Sequence, residues 1–292
     1  MRPITPVRVL RDLVYGTARI GYAGGGGPML EVCLFLDAYL PDAAPNSVGP
    51  ALILAFGGAF HRGSKEDDTI ARPGVTNTAM AEYCRRFAAQ GIACFSVDYR
   101  LAPADPDPGD TPVLTEPDGV PTGRIAEVRE IMGLAPITAR EVSWAMEAAI
   151  DDVAAAIRWV HREADRFSVD PKRIVVGGWS AGARAALYAA YGEGVACAGV
   201  IALSGTIQEA DLKAHLRPGR RLPPALLIAA EHDLSYVPAG VEGTASAIRR
   251  ADGQARAVHV PGHDHWYPAE AMTSAGLTVE ATMLDALRGW TR

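Results

Sequence analysis

Apolar residues fall into two alternating patterns along this chain. Short apolar runs at 51–56, 92–97, 174–177, 198–203 and 225–229, and a last one at 255–260, predict strands, most of them covered on both faces. Between them, apolar positions recur at spacings of three and four. These predict helices over 80–90 (closed by Gly91), 183–188, 237–251 and 275–290. The longest stripe joins Ile150, Val153, Ile157, Val160, Ala164 and Phe167. Thr138 and Glu141 have capping-box spacing, so this helix is expected to begin at Ala139 and to stop before Asp170-Pro171. Residues 7–22 and 30–39 predict a β-hairpin. The four glycines 24–27 between them precede a strand rather than a helix, so they are read as a turn and not as a phosphate loop. An antiparallel start followed by alternating strands and helices predicts an α/β protein. The expected sheet has about eight strands, mostly parallel and doubly wound, with helices on both faces and a single domain over 1–292.

One stretch breaks the rhythm. Residues 103–136 are rich in Pro, Asp, Gly and Thr, with a short helix expected over 124–132. Long loops in compact domains are usually either functional or disordered, so a disordered excursion is the alternative reading. This one follows the C-terminal end of a strand, on the rim where α/β ligand sites lie. Residues 104–136 are therefore expected to form a lid or cap.

Composition narrows the classes. With 49% hydrophobic and 21% charged residues, the chain is an ordinary globular one. Its net charge of −6 gives no basic footprint for nucleic acid or anionic lipid. No apolar stretch is long enough to span a bilayer, and residues 1–6 lack the apolar core of a signal peptide. Cys33, Cys84, Cys94 and Cys197 are scattered without a C-x-x-C pair. They read as buried, reduced thiols of a cytoplasmic protein, with a Cys84–Cys94 bridge as the minor alternative.

The chemistry starts at Gly178-Trp179-Ser180-Ala181-Gly182, between a strand-like run and a helix-like one. A serine between two glycines at such a junction is a nucleophile-elbow pattern. The turn is too tight for flanking side chains, and the following helix aims N–H groups at the same spot. A nucleophilic serine needs a base, and the base needs an orienting acid, in chain order serine, acid, histidine. Asp233, just past the strand at 225–229, is the acid candidate, with Glu231 as its rival. The base candidates are His263 and His265, after the last strand. Their H-x-H spacing without further ligands is weak for a metal, and no metal or organic cofactor is expected. His61, His161, His215, His232 and His259 read as surface, turn or packing residues. Oxyanion donors are expected from the N–H of Ala181 and from the loop Phe56-Gly57-Gly58-Ala59-Phe60.

Together these blocks resemble the α/β-hydrolase superfamily, specifically carboxylesterases related to hormone-sensitive lipase and the feruloyl-esterase-like (BD-FAE-like) branch. Gly57-Gly58-Ala59-Phe60 resembles the family's His-Gly-Gly-Gly loop. Asp98-Tyr99-Arg100-Leu101-Ala102-Pro103 resembles its D-Y-R-L-A-P block, which braces that loop. Asp170-Pro171-Lys172-Arg173-Ile174 leads into the elbow as it does in those esterases, and Gly262-His263-Asp264-His265 resembles the block around the catalytic histidine. The resemblance implies an α/β-hydrolase fold and a Ser180, Asp233, His265 triad, with His265 aligning better than His263. It also implies an oxyanion hole of Gly58, Ala59 and Ala181, and hydrolysis of a small-molecule carboxylic ester without a cofactor. An amidase, arylformamidase or peptidase with the same triad is the runner-up, and a non-catalytic receptor is the rival from another class. A homo-oligomer is compatible with the sequence. Phe56 stands where the family has its leading loop histidine, which raises the question of how the loop is held. Phe60, Trp179 and Trp266 flank the reacting positions and are expected to narrow the substrate site toward small or medium apolar acyl groups, unless they pack inward as core.

Overall fold

The computed structural model describes residues 6–23, 28–42, 48–70, 76–217 and 219–292; the glycine run at 24–27 lies outside them. Eight strands follow in chain order: β1 (Val7–Ile20), β2 (Leu30–Pro41), β3 (Gly49–Ala55), β4 (Ala93–Val97), β5 (Val169–Trp179), β6 (Gly199–Leu203), β7 (Ala225–His232) and β8 (Ala255–Asp264). They make one sheet in the order β1-β2-β4-β3-β5-β6-β7-β8. The pairs β1–β2 and β2–β4 are antiparallel and all the others are parallel. The helices are α1 (Met80–Ala88), α2 (Gly123–Ile131), α3 (Ala139–Arg162), α4 (Ala181–Tyr191), α5 (Glu209–His215), α6 (Val237–Arg250) and α7 (Val279–Trp290). The five residues of β4 and of β6 are all buried, as the apolar runs require when both faces are covered.

Register aligns the ends that matter. Ala55 of β3 lies opposite Gly178 of β5, and Trp179 of β5 lies opposite Leu203 of β6. The segments that follow these three strands therefore leave the sheet at one level. Strand order reverses beside β3, with β4 on one side and β5 on the other, which is the crevice where open α/β sheets bind ligands.

Several boundaries differ from the sequence pattern. β5 begins at Val169, not Ile174. Its pairing slips between Gly49↔Val169 and Ala51↔Ile174, so Asp170 to Arg173 bulge out of the ladder, and Pro171, which has no N–H, is tolerated there. α3 begins at Ala139 with the reciprocal Thr138–Glu141 capping box, but ends at Arg162. Ala164 and Phe167 continue the apolar stripe from a short 3-10 turn instead. α7 begins at Val279 rather than 275, where Thr278 accepts a hydrogen bond from the Ala281 N–H. β7 and β8 run on to His232 and Asp264, because their pairing extends past the apolar core to His232↔Asp264.

The insertion is packed, not splayed. Val113, Leu114, Val120, Ile125 and Val128 are buried. The Glu147 carboxylate of α3 accepts the N–H groups of Val113 and Leu114, and Asp211 of α5 accepts both the N–H and hydroxyl of Thr115. Arg100 ties the start of the insertion to α3, bonding Asp152 and the carbonyls of Asp107 and Ala148. The four thiols are free; Cys84 and Cys94 are buried as expected, whereas Cys33 is exposed on β2. Among the described residues no helix is long and apolar enough to cross a membrane.

Candidate active site

Ser180 joins β5 to α4 with φ 54° and ψ −114°, a left-handed conformation that is costly for any L-residue. Its N–H donates to the Leu203 carbonyl at 2.7 Å, and its own carbonyl accepts from Arg184 N–H at 3.0 Å, so both neighbours hold the strained turn. The flanking glycines are sterically required. A Cβ on Gly182 would lie 2.2 Å from the Ala55 carbonyl oxygen, and one on Gly178 would lie 2.4 Å from that same oxygen. Gly182→Ala is accordingly expected to destabilise the protein by about 3 kcal/mol, a fall of roughly 6–12 °C in Tm by thermal melt. An unchanged Tm would show that the β3–β5 ends can separate freely.

The Ser180 hydroxyl meets His265. The Nε2–Oγ distance is 2.9 Å, and His265 Nδ1 lies 2.5 Å from Asp233 Oδ1. His263, two residues earlier on the end of β8, is half-exposed, and Glu231 is exposed and accepts the Gly262 N–H at 2.8 Å. Residues two apart on a strand share a face, but β7 ends at His232, so Asp233 is released from that pattern and faces His265 while Glu231 stays on the exposed tip. Asp233 is buried. Its Oδ1 also accepts the Leu234 N–H, and its Oδ2 accepts the Ser204 hydroxyl at 2.5 Å and the Ala230 N–H at 3.0 Å. Burial pushes the Asp233 carboxyl up, but the bonds from His265, Ser204 and Ala230 outweigh it and hold the group below its ordinary value. Ser204, at φ 52° just after β6, and Tyr267, whose hydroxyl is 3.1 Å from Ser204 Oγ, complete this cluster. No sequence signal marks Ser204, since its role depends on β6 ending level with β5.

Opposite Ser180 runs the loop after β3. Gly58, Ala59 and Phe60 all have positive φ, at 131°, 55° and 60°. Among the described residues, the N–H groups of Gly58, Ala59 and Ala181 donate to no protein acceptor, and all three residues line the same cavity as Ser180. The loop is held without a histidine at position 56. The Phe56 ring stacks on Tyr99 at 4.2 Å, and the Tyr99 hydroxyl donates to the Phe56 carbonyl at 2.8 Å. Asp98 accepts the Lys65 N–H, and Ala102 N–H donates to the Phe60 carbonyl. Asp68, which carries no recognisable sequence signal, accepts the N–H groups of Gly57 and Met80. Burial pushes its carboxyl up to about 6 against the pull of those N–H groups. His61 is also a buried link and not a surface residue. Its Nδ1 donates to the Ala59 carbonyl at 2.7 Å, and its Nε2 accepts from Arg129 of α2 at 3.1 Å, joining the insertion to the loop. Burial, together with the Arg129 charge, lowers the imidazole's affinity for a second proton, against the pull of the Ala59 carbonyl.

The cavity has a volume of about 240 Å³. Pro121, Arg124, Ile125 and Val128 of the insertion line it together with Ser180 and His265. Phe60, Trp179 and Trp266 are largely buried and also present a face to it. Trp179 Nε1 donates to the His265 carbonyl at 3.3 Å, and the Arg124 guanidinium lies 5.5 Å from the centre of the Trp266 ring. Elsewhere, carboxylate oxygens of Asp12, Asp37 and Glu66 cluster within 4.8 Å of one another. The buried Lys65 ammonium pairs with all three and Arg11 also pairs with Asp37, so internal cations already occupy the cluster.

Comparison with known proteins agrees with this architecture. A family model described as BD-FAE matches residues 138–211, the stretch from the α3 cap through the elbow to α5. Among solved structures, native esterase 2 of the planctomycete Thermogutta terrifontis is 18% identical with a TM-score of 0.58, covering 98% of this chain and 91% of that one. Its propionate-bound form is 18% identical with a TM-score of 0.56 over 90% and 85%. The same enzyme phosphorylated by paraoxon is 18% identical with a TM-score of 0.57 over 99% and 92%. No curated protein matches. The eight-stranded, mostly parallel sheet and these alignments give the chain the α/β-hydrolase fold.

Proposed function

We propose that this chain is a serine carboxylesterase that works through an acyl-enzyme. The observation that carries the reading is the unbroken relay from Ser180 Oγ to His265 Nε2 at 2.9 Å and from His265 Nδ1 to Asp233 Oδ1 at 2.5 Å. His265 takes the Ser180 proton as Oγ attacks the ester carbonyl. The tetrahedral oxyanion is received by the N–H groups of Gly58, Ala59 and Ala181. His265 then protonates the leaving alcohol as the C–O bond breaks, and later takes a proton from water that hydrolyses the acyl-enzyme. Asp233 keeps the imidazole in the tautomer whose Nε2 can accept, and stabilises its charged form. No step calls for a metal or organic cofactor.

The small cavity, walled by Phe60, Trp179 and Trp266, favours short acyl groups. The propionate-bound and butyrate-bound forms of the Thermogutta terrifontis esterase support that size range. Its forms modified by organophosphates support a reactive serine in this fold. The test is incubation with paraoxon followed by peptide mass spectrometry. One diethylphosphoryl adduct on Ser180 is expected, with turnover of p-nitrophenyl butyrate lost in proportion. An active protein labelled elsewhere, or an unlabelled inert one, would contradict the reading. Matched ester and amide substrates separate esterase from amidase, and faster amide cleavage would favour the latter.

A further inference from the structure

The cavity beside Ser180 holds a guanidinium that the mechanism does not use. Arg184 lies one helical turn after the nucleophile in α4 and lines the cavity. It is half-buried, yet it pairs with no carboxylate among the described residues; its one polar side-chain contact is the Thr206 hydroxyl at 3.5 Å. Three other charged residues that line the cavity have partners of their own. Arg124 pairs with Glu127 at 2.8 Å, Asp67 accepts the Thr69 N–H, and Asp68 accepts the Gly57 and Met80 N–H groups. The planar fork of a guanidinium suits a carboxylate. Its wall is also fixed in place. A Cβ on Gly205 would lie 2.4 Å from the Ala183 Cβ and 3.0 Å from the Arg184 nitrogen, so the segment from Ser204 to Thr206 packs tightly on the first turn of α4.

We propose that Arg184 is the anion-recognition residue of this site, and that the preferred esters carry a carboxylate a short chain away from the scissile carbonyl. Ser180 and Arg184 line one cavity of about 240 Å³, which limits that separation to a short chain. The proposal rests on the esterase reading for its reaction, but the capture of the anion can be measured without turnover.

Either half of an ester can bear the carboxylate, so two substrate pairs are compared in wild type, Arg184→Gln and Arg184→Lys. The acyl arm uses p-nitrophenyl hemisuccinate against p-nitrophenyl butyrate. The alcohol arm uses the butyryl ester of p-hydroxybenzoate against phenyl butyrate. In one arm, the ratio of kcat/KM for the anionic over the neutral ester is expected to fall about tenfold or more in Arg184→Gln, carried by KM. Arg184→Lys should fall between, and the wild-type preference should shrink with added salt. Equal ratios in wild type and Arg184→Gln in both arms would overturn the proposal. The second readout is calorimetric binding of succinate and butyrate to Ser180→Ala. Succinate should bind more tightly than butyrate, and the advantage should vanish in Ser180→Ala/Arg184→Gln. A succinate preference without any ester turnover would retain the anion site and remove the esterase reading. Ester turnover with no Arg184-dependent preference in catalysis or binding would do the reverse.

Discussion

Ser180→Ala is expected to lower kcat for p-nitrophenyl butyrate by roughly 10⁵- to 10⁶-fold, the scale on which removal of a triad nucleophile acts. The reason is that the hydroxyl has no substitute. His265 Nε2 lies 2.9 Å from Ser180 Oγ, and without that oxygen the imidazole can only activate water from a position suited to another task. The fold should not suffer. Alanine inherits the same φ of 54°, and the backbone bonds from Ser180 N–H to Leu203 and from Arg184 N–H to Ser180 do not involve the side chain. Stopped assays on concentrated protein, with circular dichroism melts alongside, check both parts. Residual activity within a hundredfold of wild type would mean that another nucleophile does the chemistry.

Asp233→Asn is expected to cost about 10⁴-fold in kcat with little change in KM. An asparagine can turn its amide N–H₂ toward His265 Nδ1, which forces the proton onto Nε2 and leaves no lone pair to accept from Ser180. It also has one oxygen where the carboxylate uses two, one facing His265 and Leu234 N–H and the other facing Ser204 and Ala230 N–H. Glu231→Gln, on an exposed neighbour whose carboxylate accepts the Gly262 N–H, should leave kcat within about twofold, since surface changes away from such networks are small. A comparable loss in both variants would contradict the assignment. The pH dependence follows from the same contacts. Because the folded-state pKa of Asp233 is held below its ordinary 3.8, the unfolded chain binds more protons in that interval. Its stabilising contribution is therefore fully present above about 4, and is lost as acidification passes through the folded-state value. Loss of turnover at milder acidity must come from another group.

Much of the fold is legible in the chain because it depends on neighbours close in sequence. Apolar runs bounded by glycine and helical stripes with caps are local, and so are the tight steric demands of Gly178 and Gly182 around Ser180. The α3 start at Ala139 is an example, since Thr138 and Glu141 satisfy each other's backbone within one turn. Element ends are less legible where long-range pairing sets them, as at the β5 bulge and the extended tips of β7 and β8.

By itself the sequence determined an α/β chain with a serine at a strand-to-helix turn, an acid and a histidine pair in order behind it, and small residues after an early strand. Only the tertiary structure decided that His265 and not His263 faces Ser180, and that Asp233 and not Glu231 faces His265. The same holds for the support of the loop after β3, which comes from Asp68, Tyr99 and His61 in place of a histidine at position 56, and for the packing of the insertion over the cavity. The physical reason is that which side chains share a point is fixed by the register of parallel strands and the direction of each strand tip. Those quantities belong to pairings between segments tens of residues apart, and no local pattern encodes them.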